Sequence, residues 1–366
     1  MRSVACYNKK RASVSKSRFV STENMKQNCN GIEPYNEAIS VDGVEFCQDD
    51  ILLANIRPYL KKAWKAEFNG ACSTDVLSIK PIGINADFFF HCIEKDDFFN
   101  YVMSAAKGSK MPRGDKQHIM EYTIKMPSEA EQRIISKFIE LVTKRISEQQ
   151  KLVDALKLYK RGVITAIFDR KFRFTKPDGT PFPEWSSVPF GDIIIEYNDR
   201  TKTENEDILL SAAIEGMFLK TELFGHQRGT SNIGYKKIKK GTLVLSTQNL
   251  HLGNANVNLR FEHGMVSPAY KTYHIKGCSQ ELMYHWIKRE EAKQFFFNAT
   301  TVGASACRRN VEWETLYSQV IELPSIEEEV LIVRFLNSID NSCIQQETLL
   351  TQLLALKKTL LQQMFI

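Results

Sequence analysis

The sequence predicts an α+β fold in which two mixed, strand-rich segments alternate with two long helices that pack on each other as a coiled coil. Three observations lead there. Residues 126–138, MPSEAEQRIISKF, and residues 323–335, LPSIEEEVLIVRF, write the same helix start twice, 197 positions apart. From Pro127 and from Pro324, two 43-residue segments align without a gap. The stretch ahead of each is rich in β-branched and aromatic residues broken by turn residues, the composition of short strands.

The first mixed segment spans 1–126. In it DDILLANIRPYL (49–60) reads as a turn entering an apolar strand, and FFFHCIEKDDFFNYVMSAA (88–106) as a short helix. The first long helix spans 127–170. Ser128-x-x-Glu131 is a capping box: the serine hydroxyl accepts from the N3 amide and the glutamate reaches back to the serine amide. Acidic residues in the first turn also suit the helix dipole. At about 1.5 Å per residue the helix is about 60 Å long. A linker at 171–185, KFRFTKPDGTPFPEW, holds three prolines and a Pro-Asp-Gly turn.

The second mixed segment spans 186–323 and repeats the first loosely. KGTLVLSTQNLHLG (240–253) matches 49–60, Ser267 matches Ser73, and GASACR (303–308) matches GSKMPR (108–113). SQELMYHWIKREEAKQFFFNAT (279–300) is its short helix. The second long helix, 324–366, opens with the capping box Ser325-x-x-Glu328. Ile135, Phe138, Val142 and Leu156 in one helix, and Ile332, Phe335, Ile339, Leu353, Leu356 and Leu360 in the other, recur at helical spacing and are assigned to the seam. The bland alternative is that each stripe packs on its own adjacent segment.

Composition narrows the function. The chain has 366 residues, 43% hydrophobic and 25% charged, ordinary for two or three folded domains. No apolar run approaches the roughly 18 residues of a membrane helix, and the charged N-terminus lacks a signal-peptide core, so a cytoplasmic protein with no membrane partner is expected. Eight scattered cysteines without a C-x-x-C pair argue for reduced thiols and no structural zinc. Gly-x-Gly-x-x-Gly, Walker A, paired metal-ligand histidines and the base-methyltransferase Pro-Pro-aromatic signature are all absent, so no catalytic or metal residue is assigned.

What remains is binding. The net charge is +6, and basic residues interleaved with aromatic and polar ones recur at matching places in the two halves. Arg57, Lys61, Lys62, Lys110 and Arg113 lie in the first, and Lys236, Lys237, Arg308 and Arg309 in the second. Arginine reads guanine bidentately in the major groove and lysine neutralises phosphate. For any single residue of this set, a solvated surface role is the competing reading.

The order, spacing and duplication of these motifs, together with STENM (21–25), FNGACSTDVL (68–77) and FPEWSSVPFGDI (182–193), resemble the DNA-specificity subunit of type I restriction–modification enzymes. The resemblance covers essentially the whole chain. It implies two target-recognition domains, each reading half of a split site on double-stranded DNA, and an antiparallel coiled coil that sets the gap between them. It implies modification subunits as partners, with restriction subunits where the system has them. The chain itself is then non-catalytic and cofactor-free; S-adenosylmethionine, ATP and Mg belong to the partner subunits. One departure stands out. At the repeat's offset, FPEWSSVPFGDI maps ahead of Met1, so 1–126 is expected to lack about 20 residues of its opening strand. The alternative function is a coiled-coil interaction scaffold without direct DNA recognition.

Overall fold

The computed structural model describes residues 1–37, 39–224, 231–305 and 308–364. Contacts divide the chain into two units. The first joins Met1–Leu152 to Gln346–Ile366, and the second is Val153–Gln345. Each unit therefore combines one mixed segment with a part of each long helix.

The first unit is built on a four-stranded antiparallel sheet. Its order is Ala5–Tyr7, Val76–Pro81, Ile51–Ala54, Ala63–Lys65. The apolar run at 51–54 is buried on both faces, as a central strand requires. Asp49 turns the chain into this strand at φ 68°, a left-handed conformation that Asp tolerates better than most residues. A second sheet orders Arg11–Ser15, Ser40–Phe46, Gly70–Cys72 and Phe19–Val20, the last pair parallel. Gly70 is needed there because a Cβ would sit 2.2 Å from the Arg18 carbonyl oxygen.

The second unit repeats the first sheet with the same order and the same antiparallel sense: Ile194–Tyr197, Tyr270–Ile275, Leu243–Ser246, Ala255–Val257. Gly241, at φ 85°, does here what Asp49 does in the first unit. Each expected short helix is a pair of helices instead. Ala86–Ile93 and Asp96–Ser104 break around Glu94–Lys95, and Gln280–Ile287 and Glu290–Asn298 break around Lys288–Arg289. Asn85 and Ser279 cap the first helix of each pair through their side chains.

The long helices run Glu129–Phe168 and Ile326–Gln363. Within each unit their segments pair antiparallel. In the first, Gln149 Nε2 donates to the carbonyl and the Oε1 of Gln346 at 3.1 and 2.8 Å, and Met364 lines one cavity together with Ile134 and Ile135. In the second, Lys160 pairs with Asp340 at 2.6 Å, while Ile164, Ile167 and Phe168 share a core with Ile332 and Leu336. The covered stripe alternates three and four residues, at 132, 135, 139, 142, 146, 149, 153, 156, 160, 163 and 167, and at the equivalent positions 197 later.

That stripe corrects two seam assignments. Phe138 and Leu356 are exposed, because the periodicity passes through Ile139 and Lys357 beside them. Phe335 is half-buried at the edge of the second unit's core, against Phe172 and Phe174. Ile339 is buried, and Ile332 belongs to that core. Ile135, Val142, Leu156, Leu353 and Leu360 are half-buried along the stripe.

Polar stripe residues tie each helix to its own sheet unit. Gln132 Oε1 accepts the backbone N–H of the cap residue Asn85 at 2.9 Å, and Glu329 Oε1 accepts that of the cap residue Ser279 at 2.6 Å. Lys357 reaches the buried Glu94 carboxylate at 2.9 Å. Burial alone pushes this carboxyl up, but the His91 hydrogen bond and Lys357 together hold it below the usual glutamate range.

The capping boxes fold differently. Ser128 N–H donates to Glu131 Oε2 at 2.9 Å and Glu131 N–H to Ser128 Oγ at 3.3 Å, the complete reciprocal box. Glu328 N–H donates to Ser325 Oγ at 3.3 Å, but its carboxylate is taken by Arg173 and Trp185. The linker forms the expected turn, with Asp178 Oδ1 accepting the Thr180 amide at 2.9 Å.

Candidate nucleic-acid interface

In the first unit the loop after Ala106 folds back on itself. Lys107 and Arg113 exchange both backbone hydrogen bonds, at 3.0 and 2.9 Å, and Gly108 turns the chain at φ 97°. The loop docks on the end of the central strand: Arg57 N–H donates to the Pro112 carbonyl at 2.7 Å and Gly114 N–H to that of Asn55 at 3.0 Å. The following turn, Pro58–Leu60, is flanked by Arg57 at φ 52° and Lys61 at φ 51°. Two left-handed non-glycine residues hold the backbone in a sparsely populated shape that pushes Arg57 and Tyr59 outward.

Four cationic side chains are thereby gathered at one sheet end: Arg57, Lys107, Lys110 and Arg113, all exposed. Arg113 pairs with Asp75 at 3.2 Å and Lys107 with Asp115 at 3.3 Å. Exposed pairs of this kind contribute about 0–1 kcal/mol, so they hold these cations only weakly. Lys61 and Lys62 point elsewhere. Lys61 bonds Asp96 at 2.6 Å and Lys62 bonds the Thr22 carbonyl at 2.6 Å, both bracing the scaffold.

The second unit places its set less simply. Arg308 opens the strand Arg308–Val311, which pairs with Thr300–Ser305. Its side chain and residues 306–307 of that loop lie outside the described residues. Arg309 is turned onto the hairpin base: Nε and Nη2 donate to Thr300 Oγ1 and carbonyl, both at 2.7 Å, and the guanidinium lies 4.2 Å over Phe297. Lys237 pairs with Glu206, whose carboxyl it pulls to about 2 with help from the Lys202 amide. Lys236 is buried in its strand, and burial lowers its ammonium. These three are arranged as structural cations.

Two features escaped the sequence reading. Lys107 joins the basic cluster only through its ladder with Arg113, and no spacing rule announces that partnership. The polar stripe residues Gln132, Gln149, Glu329 and Gln346 were legible in principle, since the strict three–four alternation runs through them in both repeats.

No family model matches the chain. Among solved structures it overlays a chain from work on complex assembly and conformational transition of the type I R-M system. The TM-score is 0.59 at 18% identity, covering 97% of this chain and 91% of that one. It also overlays a type I restriction-modification S subunit from M. genitalium, with TM-score 0.54, 11% identity, and 98% and 97% coverage. The chain has the fold of type I specificity subunits. A local sequence match agrees: residues of this chain are 26% identical over 142 positions to the EcoDI type I restriction enzyme specificity subunit of Escherichia coli. That match takes in 37% of this chain and spans about a third, 32%, of the relative's length. The resemblance read in the sequence therefore stands, and with it the α+β architecture with two long helices.

Among the described residues no group of three or more His, Cys, Asp or Glu is placed to hold a metal ion, and no helix is long and apolar enough to cross a membrane.

Proposed function

We propose that the chain is the DNA-recognition subunit of a type I restriction–modification complex. It reads a bipartite site on double-stranded DNA and directs partner modification subunits, with restriction subunits where present. The observation that carries this reading is the duplication of one sheet, with the same strand order, in two units whose loops differ in sequence. Two homologous but unlike readers suit a target with two unlike halves. In the first unit, Arg57, Lys107, Lys110 and Arg113 are the cations that would meet DNA, the arginines at base edges and the lysines at phosphates.

The chain is non-catalytic in this reading. Methyl donor, ATP and Mg chemistry belongs to the partners, in the cytoplasm, and the coiled coil with its flanking faces carries the assembly. The test is single-molecule sequencing of DNA from cells expressing the chain with an active partner methyltransferase. The expected outcome is methylated adenine in a split motif that disappears when this chain is omitted. Methylation unchanged by its omission would sink the reading.

A further inference from the structure

The two units enter an equivalent turn through different residues. Pro58–Leu60 and Leu250–Leu252 are both short 3-10 turns, each beginning four residues after its central strand, Ile51–Ala54 or Leu243–Ser246, has ended. Both close on a left-handed residue, Lys61 at φ 51° and Gly253 at φ 86°. The residue that enters the first turn is Arg57, and the residue that enters the second is Asn249. The loops GSKMPR and GASACR make a second exchange. Val302 precedes Gly303 as Lys107 precedes Gly108, so an apolar residue stands where the first unit has a cation.

Asn249 is held as a presented amide. Ser246 Oγ accepts the backbone N–H groups of Gln248 and Asn249 at 3.3 and 3.1 Å. Thr247 N–H donates to the Ala269 carbonyl at 3.0 Å, and the Asn249 carbonyl accepts the Leu252 N–H at 3.1 Å. The backbone is thus fixed, while the Asn249 side chain is exposed, does not cap the turn and has no partner among the described residues. Local structure does not call for asparagine here, because its φ of −118° lies outside the left-handed region that favours it. Val302 is 72% exposed on the strand Thr300–Ser305, opposite Arg309 in the hairpin register. Burial and then the Arg309 charge lower the imidazole of His251, two residues beyond Asn249, so hairpin and turn lie side by side.

These residue types ask for different bases. Arginine pairs bidentately with guanine O6 and N7, asparagine with adenine N6 and N7, and an apolar side chain packs on the thymine methyl. We propose, resting on the DNA-recognition reading above, that Asn249 and Val302 set the base preference of the second unit. Asn249 Nδ2 donates to adenine N7 and its Oδ1 accepts from N6 in the major groove, while Val302 covers a thymine methyl. The second unit therefore requires A·T where its turn meets the groove, as Arg57 in the first unit requires G·C.

The test is a mobility-shift titration of the full chain, with its partner modification subunits, on the bipartite target identified by methylation sequencing. 7-Deazaadenine replaces adenine, or deoxyuridine replaces thymidine, at one position at a time through both halves. At one adenine, loss of N7 should weaken the parent about tenfold and leave Asn249→Ala, itself about tenfold weaker than the parent, unaffected. At one thymine, loss of the methyl should weaken the parent several-fold and leave Val302→Ser unaffected. Gln248→Ala should keep both sensitivities. Asn249→Ala should keep the parent's salt slope, because an amide neutralises no phosphate. Both side chains are exposed, so melting should match the parent. Asn249→Ala that binds as the parent does, keeps every N7 sensitivity or relaxes a G·C pair would overturn the proposal, as would Val302→Ser that keeps every methyl sensitivity. A parent complex that shifts no duplex would overturn the DNA-recognition reading together with this inference; the other outcomes overturn this inference alone.

Discussion

Gln149 is fully buried in the helix stripe and meets Gln346, its own equivalent in the repeat. In an antiparallel pair of repeated helices a residue faces its equivalent at one point only, so this contact sets the register. It does so at some expense, since Gln149 Oε1 is buried without a partner. Replacing Gln149 by Leu should cost about 1–2 kcal/mol, because it leaves the Gln346 amide unpaired, while replacing both should recover most of that loss. Urea midpoints of the single and double variants check this, and additive losses would contradict it. Lys288 is the second telling residue. Its ammonium donates to the Ile214 carbonyl and to Asn256 Oδ1, both at 2.7 Å, and burial lowers it from 10.5 to about 8. The folded chain thus releases this proton before the unfolded chain does. Below pH 8 the penalty is fully present; between 8 and 10.5 stability should rise by about 1 kcal/mol per pH unit relative to Lys288→Met. Parallel denaturation curves of the two proteins across that range would refute the assignment.

At the scale of elements, one motif has two fates. Ser128-x-x-Glu131 and Ser325-x-x-Glu328 look alike in sequence, and both open long helices. Glu131 closes its box in solvent, so Glu131→Ala should cost clearly less than the same change at Glu328. Glu328 is buried under Arg173 and Trp185, so Glu328→Ala strands the indole N–H and removes one of the guanidinium's two carboxylate partners, Glu184 remaining, and should cost about 1–3 kcal/mol. Thermal melts of the two variants measure the gap; equal losses would mean that the cover contributes nothing. The pattern also shows what a sequence discloses about elements. Capping residues, the Pro-Asp-Gly turn and the helix lengths were readable because they follow from local chemistry. Phe138 and Leu356 were misplaced because hydrophobicity alone was allowed to choose the seam. The register instead runs through Gln149, Lys160 and Lys357, polar residues with specific partners.

For the whole molecule, duplication was legible and the arrangement of the basic side chains only partly so. Repetition survives in sequence because helix periodicity and strand entry constrain many positions at once. A cluster such as Arg57, Lys107, Lys110 and Arg113 forms through backbone ladders between loops about 50 residues apart, which composition does not encode. The same folding withdraws Lys61, Lys62, Lys236, Lys237 and Arg309 into internal contacts. The two groups should therefore separate by experiment. Alanine at Lys107 or Lys110, as phosphate contacts, should weaken DNA binding uniformly and reduce the slope of log affinity against log salt by about 1 each. Alanine at Arg57 or Arg113, as base contacts, should cost about 1–3 kcal/mol and relax preference in one half of the target while leaving the other half intact. Alanine at Lys61 or Arg309 should lower the melting temperature and leave the salt slope unchanged. Mobility shifts over a salt series, on duplexes randomised in one half-site at a time, resolve all three classes. A salt slope that falls as much for Lys61→Ala as for Lys110→Ala would mean the exposed cluster is not the surface that meets DNA.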